Sequence, residues 1–282
     1  MEGANPLRPR AVNMSLVIRC VSILGLWTAC PAAEDGSAEA QQAWERAVEA
    51  KGGRTQLHNI RSVLRVYATT WGFRTLRPVK CFHTGLLVLP FRMWSWDDER
   101  PTKKFVLASR TVNLETGFAQ MTYHDPNEVE TPNPVGKPSV GDEQRIRQLQ
   151  LFTFLETAWI RPKVLRSWKA HDWFIPIIVV ETEVEGEIYE WHFDSRSFLP
   201  RRVIAKVPTT YGINEEEFRL EDYRLVDGLQ LPHRITHGPF REQIEYKLNV
   251  DYDEAIFHRA PSPAAGSNAW MRKDAPALRE RP

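Results

Sequence analysis

The sequence lacks a charge imbalance and a long apolar run. Its 282 residues include 37 Lys and Arg against 36 Asp and Glu, for a formal net charge of +1. A phosphate backbone requires a densely basic surface, so we predict no nucleic-acid partner. No segment reaches the roughly 18 consecutive apolar residues that a membrane-spanning helix needs. We therefore predict no transmembrane segment in the mature chain.

Cysteines and catalytic signatures are also scarce. The three cysteines, Cys20, Cys30 and Cys81, form neither a C-x-x-C pair nor a Cys/His zinc spacing. The nucleophile elbow G-x-S-x-G, the zinc motif H-E-x-x-H, the P-loop and the dinucleotide fingerprint G-x-G-x-x-G are missing. The sequence thus predicts a protein that is not an enzyme and that carries no cofactor.

The first 33 residues have the order of a secretory signal peptide. Basic residues come first, an apolar stretch at 20–30 follows, and small residues lead into a polar segment. That order predicts export and removal of residues 1–33. Translation from Met14 instead of Met1 would leave a signal of more usual length.

Cys30 raises a second possibility for the processed chain. Thr28 and Ala29 precede it as in a bacterial lipoprotein cleavage box, although the leucine of that box is displaced to Leu26. Two outcomes stay open at this stage. Either Cys30 is lipidated and anchors the protein to a membrane, or cleavage near Ala32 or Ala33 releases a soluble protein.

Two segments have helical periodicity. Residues 38–51 place Ala40, Trp44, Ala47 and Val48 on one side, and Gly52-Gly53 should end this helix. Residues 142–160 carry a broad apolar stripe, so we predict a helix that is buried on most sides.

Elsewhere the period is two, and short segments rich in β-forming residues alternate with Gly, Pro, Asn and Asp. One face of each predicted strand is apolar and the other is polar, as in an antiparallel sheet with one covered face. Glu185-Gly186 and Asp227-Gly228 predict tight hairpins. Residues 125–141 read as a loop. The predicted fold class is mainly β (α+β), with one domain at 34–261 and a disordered tail at 262–282.

Four phrases of the sequence, in order, carry a resemblance to a known family. They are AKGG at 50–53, FDSRSFLP at 193–200, DYRLVDGLQLP at 222–232 and the segment 249–257. Together they resemble the periplasmic lipoprotein-sorting carriers of the LolA/LolB-like superfamily, and in particular its uncharacterised bacterial relatives. The resemblance implies a curved antiparallel sheet, or unclosed β-barrel, with helices that cover its concave apolar face.

The resemblance also implies a function. A monomeric, exported protein of the bacterial envelope would bind a lipid, or the acyl chain of a lipidated protein, against the concave face. Large apolar residues of the predicted strands and of the second helix are the candidate ligand-binding residues. They are Trp71, Phe82, Leu86, Trp94, Trp96, Phe152, Leu155, Trp159, Tyr189, Trp191 and Phe193. For each of them, a role in core packing alone is an equal alternative.

Two other functions remain as alternatives. The same scaffold could be a sensor of envelope stress that binds an envelope protein, and the segment 125–141 would then be the first surface to test. It could also be a metal-dependent hydrolase that uses His192, Asp194 and His233, because histidine and carboxylate side chains on neighbouring strands can bind zinc.

Overall fold

The computed structural model describes most of the chain. The described residues are 36–72, 78–98, 107–124, 131–132, 135–209 and 212–271. The predicted signal peptide, including Cys30, and the last residues of the predicted tail lie outside them. Within these ranges, no helix combines the length and the apolar character needed to cross a membrane.

The described residues form a mainly β fold, which confirms the predicted class. The helices are α1 (Gly36–Ala50), α2 (Arg54–His58) and α3 (Val140–Phe154). The strands are β1 (Ser62–Trp71), β2 (Val79–Val88), β3 (Arg92–Asp98), β4 (Leu107–Asn113), β5 (Phe118–His124), β6 (Thr131–Pro132), β7 (Lys163–Asp172), β8 (Ile175–Val184), β9 (Glu187–Asp194), β10 (Pro200–Thr209), β11 (Gly212–Val226), β12 (Leu229–His237) and β13 (Phe240–Leu248). Two short 3-10 helices follow at Glu254–Phe257 and Pro263–Ala265.

All the described strands belong to one antiparallel sheet. Its order is β6-β5-β4-β3-β2-β1-β13-β12-β11-β10-β9-β8-β7, so β1 pairs with β13 in the middle. Neighbouring strands in this order are nearly always neighbours along the chain, as short hairpin connections require. The terminal strands of the order, β6 and β7, do not pair with each other. The sheet is therefore unclosed, as predicted.

The predicted hairpins form where the sequence supplies residues that accept a left-handed backbone. Asp227 and Gly228 have φ angles of 46° and 85°, and Glu185 and Gly186 have φ angles of 51° and 81°. Two consecutive residues with positive φ make the turn that matches the twist of an antiparallel pair. These hairpins fix the register of β8 with β9 and of β11 with β12.

Helix α1 ends at the predicted glycines for two reasons. Gly52 has a φ of 123°, a conformation that L side chains rarely adopt. A Cβ atom at Gly52 would also lie only 2.5 Å from the carbonyl oxygen of Gly228. The end of α1 thus touches the turn between β11 and β12, and Gln230 donates its backbone N–H to the carbonyl of Lys51 over 2.9 Å.

Helix α3 is shorter than the predicted helix at 142–160. Ser139 caps its start, and the Ser139 and Asp142 side chains each accept a backbone N–H from the other residue. The helix ends at Phe154 because Leu155 turns left-handed, with a φ of 71°. The prediction was wrong beyond Phe154, where the apolar stripe continues in an irregular segment with bends instead of a helix.

The segment predicted as a loop at 125–141 also contains regular structure among its described residues. Strand β6 pairs with β5, Gly136 exchanges backbone hydrogen bonds with Ala119, and α3 already begins at Val140. Strand β7 was not predicted either. A register shift between Val164 and Arg166 interrupts its alternation, so the period of two is hard to read there.

Helices α1 and α3 cover the concave face of the sheet, as the resemblance implies. Helix α1 packs on β7 and β8, and α3 contacts β12. One buried cluster contains Trp44 of α1, Phe152 of α3, Val112 of β4 and Val180 of β8. Strands β4 and β8 lie far apart in the strand order, so only a strongly curved sheet can bring their side chains into one core.

The opposite face of the sheet has a cover of its own. Its buried cluster contains Leu64, Leu86, Val88 and Trp94 from β1, β2 and β3, packed against Ile256, Phe257 and Trp270. The backbone of Trp270 accepts the N–H of Asp253 over 2.9 Å, and Pro263 accepts the indole N–H of Trp96 over 2.9 Å. The prediction of a disordered tail was therefore wrong for residues 262–271, which bury apolar strand residues despite their Ala- and Pro-rich composition.

Replacement of Trp270 tests whether this cover belongs to the folded domain. Trp270→Ala should lower the free energy of unfolding by about 3–5 kcal/mol, the usual cost of truncating a buried tryptophan. Urea denaturation measures the change. Met271→Ala at the neighbouring, less buried position is the control. Equal stability of wild type and Trp270→Ala would show that the segment is not part of the cooperative unit.

Lys51 is an unusual feature of the core. Its side chain is 0% exposed, and within the described part of the chain its Nζ atom has no hydrogen-bond partner. The amine lies 5.1 Å from the ring centroid of Tyr223. Desolvation lowers the pKa of Lys51 to about 7 and raises that of the Tyr223 hydroxyl. The lysine therefore opposes folding at neutral pH.

Lys51→Met should raise the free energy of unfolding at pH 7 by about 1–3 kcal/mol, because methionine buries the same length without an amine. The pH dependence has a definite sign. Between about pH 7, the folded pKa, and 10.5, the ordinary pKa, the unfolded chain binds more protons, so wild-type stability should rise with pH. In urea denaturation between about pH 7 and 10.5, the free energy of unfolding of Lys51→Met should therefore rise less with pH than that of wild type. The exposed Lys247→Met is the control, and a wild-type slope retained in Lys51→Met would contradict the assignment.

Candidate ligand cleft beside helix α3

A cleft of about 410 Å³ separates one side of α3 from the concave face of the sheet. Helix α3 forms one wall, and strands β1, β11, β12 and β13 form the other. The lining residues are Arg65, Tyr67, Gly141, Gln144, Arg145, Gln148, Leu149, Phe152, Thr153, Glu216, Phe218, Ile235, His237 and Glu242. We call this space the α3 cleft.

The floor of the α3 cleft is apolar and largely aromatic. Phe152 and Phe218 pack with their ring centroids 4.6 Å apart, and Phe218 lies 5.0 Å from the ring of His237. Ile235 and Tyr67 complete a surface that is buried from water. Such a floor favours hydrocarbon, because each buried CH₂ group of a ligand contributes about 0.8 kcal/mol.

The rim of the cleft is charged, because it contains Arg145, Glu216 and Glu242, and the charged lining continues inward to the buried Arg65. Arg65 donates to Glu242 over 3.1 Å, and its guanidinium carbon lies 5.0 Å from the ring centroid of Tyr67. Burial, with a contribution from the nearby Asp97 carboxylate, raises the pKa of the Tyr67 hydroxyl, which stays protonated. An apolar floor under a rim that contains both signs of charge suits an amphiphilic ligand whose polar end remains at the opening.

A buried carboxylate holds the first turn of α3 to the sheet. Asp142 accepts a hydrogen bond from Arg110 of β4 and further bonds from the backbone N–H and hydroxyl of Ser139, at 2.9 and 2.8 Å. Its side chain is almost completely buried. The start of α3 is therefore fixed against strand β4.

A second buried carboxylate holds the chain just after α3. Glu156 accepts hydrogen bonds from the indole of Trp44 at 3.1 Å and from Nε of Arg54 at 2.6 Å. The Nε2 atom of His58 lies 3.2 Å from the same carboxylate. Burial alone would raise the pKa of Glu156, but the bonds from Arg54 and Trp44 outweigh it and lower that pKa below its usual value. With both ends held, α3 stands as a fixed wall of the cleft.

A smaller cleft of about 370 Å³ lies on the other side of α3. Trp159 is part of its lining and is 43% exposed, with the guanidinium carbon of Arg61 5.2 Å from its ring centroid. Gln150 reaches across to donate to the carbonyl of Pro90 over 2.7 Å. The helix thus leaves space on both of its sides instead of sealing the concave face.

Comparisons with known proteins give matches among solved structures only. No protein-family model matches the sequence, and no curated protein matches it. A domain described as an outer membrane lipoprotein-sorting protein, from Vibrio parahaemolyticus, is 10% identical with a TM-score of 0.44; the match covers 78% of this chain and 97% of that one. A LolA superfamily protein from Nitrosomonas europaea is 14% identical with a TM-score of 0.44, and the match covers 77% and 96%.

A DUF1329 family protein from Desulfovibrio piger is 11% identical with a TM-score of 0.45, and the match covers 77% of this chain and 96% of that one. Two of the three proteins thus carry the name of the group that the sequence phrases resemble. Because every one of these TM-scores lies below 0.5, we draw nothing from them about what this chain binds.

The structure divides the predicted ligand-binding residues into several groups. Tyr189, Trp191, Phe193 and Leu155 are completely buried in the core beneath the helices. The ring centroid of Trp44 lies 5.8 Å from that of Trp191 and 6.1 Å from that of Phe193. Trp191 and Phe193 of β9 therefore contact the protein's own α1. Of the predicted residues, Phe152 lines the α3 cleft.

Four other predicted residues lie on or beside the opposite face. Leu86 and Trp94 belong to the cluster under the C-terminal segment, and Trp96 packs against it. Phe82 follows the same alternation on β2 and is half exposed. These residues do not border the α3 cleft. The prediction included them because alternation along a strand assigns residues to two faces but does not show which face a helix covers. Trp71 is half exposed at the end of β1.

The sequence-based prediction missed most of the cleft floor. Phe218 and Ile235 lie in β11 and β12, and Tyr67 lies in β1. Their alternation was readable, since Leu229, Leu231 and Ile235 share one face of β12. The choice among buried apolar residues depends on where α3 crosses the sheet, which no local pattern shows.

The residues of the metal-site alternative do not form a metal-binding group. Among the described residues, no three His, Cys, Asp or Glu side chains converge as metal ligands would. His192 instead lies 2.7 Å from Glu190 and 2.9 Å from Arg202, and burial lowers its pKa. Asp194 accepts the backbone N–H groups of Arg196 and Ser197 in a turn.

Replacement of Glu156 tests how firmly the end of α3 is held. Glu156→Gln should lower the free energy of unfolding at pH 7 by about 1–3 kcal/mol, because a charged acceptor of buried hydrogen bonds is lost. A carboxylate with a lowered pKa stabilises above its ordinary pKa, so the difference should shrink as the pH falls below 4.5. Urea denaturation at pH 7 and at acid pH measures both effects.

The exposed Glu245→Gln is the matched control and should leave stability nearly unchanged. A loss in Glu156→Gln no larger than in this control would show that Glu156 does not fix the helix.

Proposed function

We propose that this chain is an exported binding protein of the bacterial envelope that holds an acyl chain of a lipid, or of a lipidated protein, in the α3 cleft. The observation that carries the proposal is the apolar floor of Tyr67, Phe152, Phe218 and Ile235 beneath a charged rim. Export rests on the order of basic, apolar and small residues at 1–33. The function is binding and transfer, not catalysis.

The dimensions of the cleft support this ligand class. Its volume of about 410 Å³ falls in the range of roughly 300–1,000 Å³ usual for small-molecule sites. Eight buried methylene groups would contribute about 6 kcal/mol. That free energy corresponds to binding in the range of tens of micromolar, which is tight enough to carry a chain and weak enough to release it.

The rim explains why the ligand should be amphiphilic instead of purely apolar. Glu242, which pairs with the buried Arg65, lies at the opening, and Arg145 and Glu216 face it from α3 and β11. Charged groups at an opening keep a polar head group in water while the chain is buried. The rim carries both signs of charge, so it does not select a head group by charge alone.

A cleft-filling variant tests the proposal. Leu149 lines the cleft from α3, and Leu149→Trp should occupy the space that an acyl chain would take. Organic extracts of the protein purified from a bacterial host, analysed by mass spectrometry, should contain acyl chains. Their amount per protein should fall at least about tenfold in the variant.

Val140→Trp is the matched control, because it also places a tryptophan on α3 but at an exposed position outside the cleft. It should retain the wild-type acyl content. An empty wild-type protein, or equal acyl content in wild type and Leu149→Trp, would refute the proposed site.

A further inference from the structure

The turn between β7 and β8 exposes two aromatic side chains at its end. Trp173 is 88% exposed and Phe174 is 93% exposed, more than any other large apolar side chain of the described residues. We call this pair the β7–β8 tip. Trp168 and Ile175, on the two strands that lead to it, are also exposed. The apolar surface therefore continues a short way down the hairpin.

The geometry of the turn does not require aromatic residues. Trp173 has a φ of 58°, which is uncommon for a bulky side chain. The equivalent turn between β11 and β12 uses Asp227 and Gly228, the residue types that tolerate positive φ. An aromatic pair at this turn strains the backbone at Trp173 and exposes apolar surface to water, so it does not stabilise the fold. Its presence therefore indicates a function other than folding.

Basic side chains lie on the hairpin of the β7–β8 tip and in the turn beside it. The neighbouring turn between β9 and β10 is joined to it, because Ser195 donates its N–H to the carbonyl of Pro176 over 3.3 Å. The cations at this end of the sheet are Lys169, Arg196, Arg201, Arg202 and Arg219, and the acids are Asp172, Asp194, Glu217 and Glu221. Asp194 faces Arg201 at 3.6 Å, and Glu217 faces both Arg202 and Arg219. Exposed Lys169 and Arg196 thus supply the positive charge that is available near the tip.

We propose that the β7–β8 tip inserts into the head-group region of an anionic phospholipid bilayer. Tryptophan and phenylalanine partition into this region because it is apolar on one side and wet on the other. Lysine and arginine beside them are attracted to anionic head groups. Exposed Lys169 and Arg196 would thus lie beside the lipid phosphates while Trp173 and Phe174 enter the acyl boundary.

The shape of the tip favours a bilayer over a protein partner. Two aromatic side chains offer about 150–250 Å² each, whereas a stable protein interface buries about 800 Å² on each partner. A narrow projection suits a fluid surface that closes around it. This inference is independent of the α3 cleft, whose lining residues do not include the tip.

Vesicle binding tests the inference. The chain is expressed at full length, isolated in the form that the cell yields, and sedimented with vesicles of phosphatidylcholine and phosphatidylglycerol in equal parts. Trp173→Asn/Phe174→Gly supplies residues that the turn accepts, so the hairpin should remain folded. The variant should bind at least about tenfold more weakly than wild type. Vesicles of phosphatidylcholine alone should bind the wild type more weakly, and added salt should weaken binding to the anionic vesicles.

Two further measurements locate the effect. Ile213→Asn, the control, removes an exposed apolar residue from β11 outside the tip and should bind as wild type does. Hydrogen exchange should slow at residues 170–178 of the wild type when anionic vesicles are added. Unchanged vesicle binding in Trp173→Asn/Phe174→Gly, no protection of that segment, or a protein partner captured through the tip without any lipid binding would each overturn the inference.

Discussion

The constraint that governs this structure is a single open sheet whose concave face is apolar and whose outer face is also apolar at β1, β2 and β3. A flat sheet of this width would leave both faces in water, so each face needs its own cover. Curvature reduces the concave face enough for α1 and α3 to cover it. The outer face of β1, β2 and β3 is buried by a short irregular segment that includes Trp270. The two covers differ in kind, and clefts lie beside both of them.

Helix α3 is held at both ends, and along its length Gln150 and Arg147 attach it to neighbouring segments. Asp142 and Glu156, both nearly fully buried, connect the start of the helix to β4 and the chain after it to α1 and α2. Removal of a partner from such a group costs more than the net gain of forming the bond, so these contacts hold the helix in place. Between them, the helix crosses the sheet with polar residues such as Gln144 and Gln148 facing a gap. Space therefore remains on both sides of α3 although the helix is fixed to the sheet.

Sequence reasoning predicted what local patterns determine and missed what long-range packing determines. Alternation identified most strands, and Asp227-Gly228 and Gly52-Gly53 marked a hairpin and a helix end correctly. The same alternation could not tell that Trp94 and Trp191 face different covers. It also gave no sign that Trp270, in an Ala- and Pro-rich segment, would be buried. The sequence therefore predicted the type of residue that lines the candidate site, a large apolar side chain, but not its position. Of the predicted residues, Phe152 lines the α3 cleft.

A protein that exchanges an apolar ligand has to remain folded when the ligand has left. Beneath α1, aromatic rings of Trp44, Trp191 and Phe193 contact one another without a ligand and keep that half of the core filled. Loss of a ligand from the α3 cleft would expose the floor around Phe218, whereas this cluster would stay intact. Phe152 of the α3 cleft also contacts this core, since its ring centroid lies 6.2 Å from that of Trp191. Under the proposed function, most of the stability would come from the cluster beneath α1 and the binding from the floor around Phe218. A modest affinity of the cleft would then suffice, and it would permit release of the ligand to an acceptor.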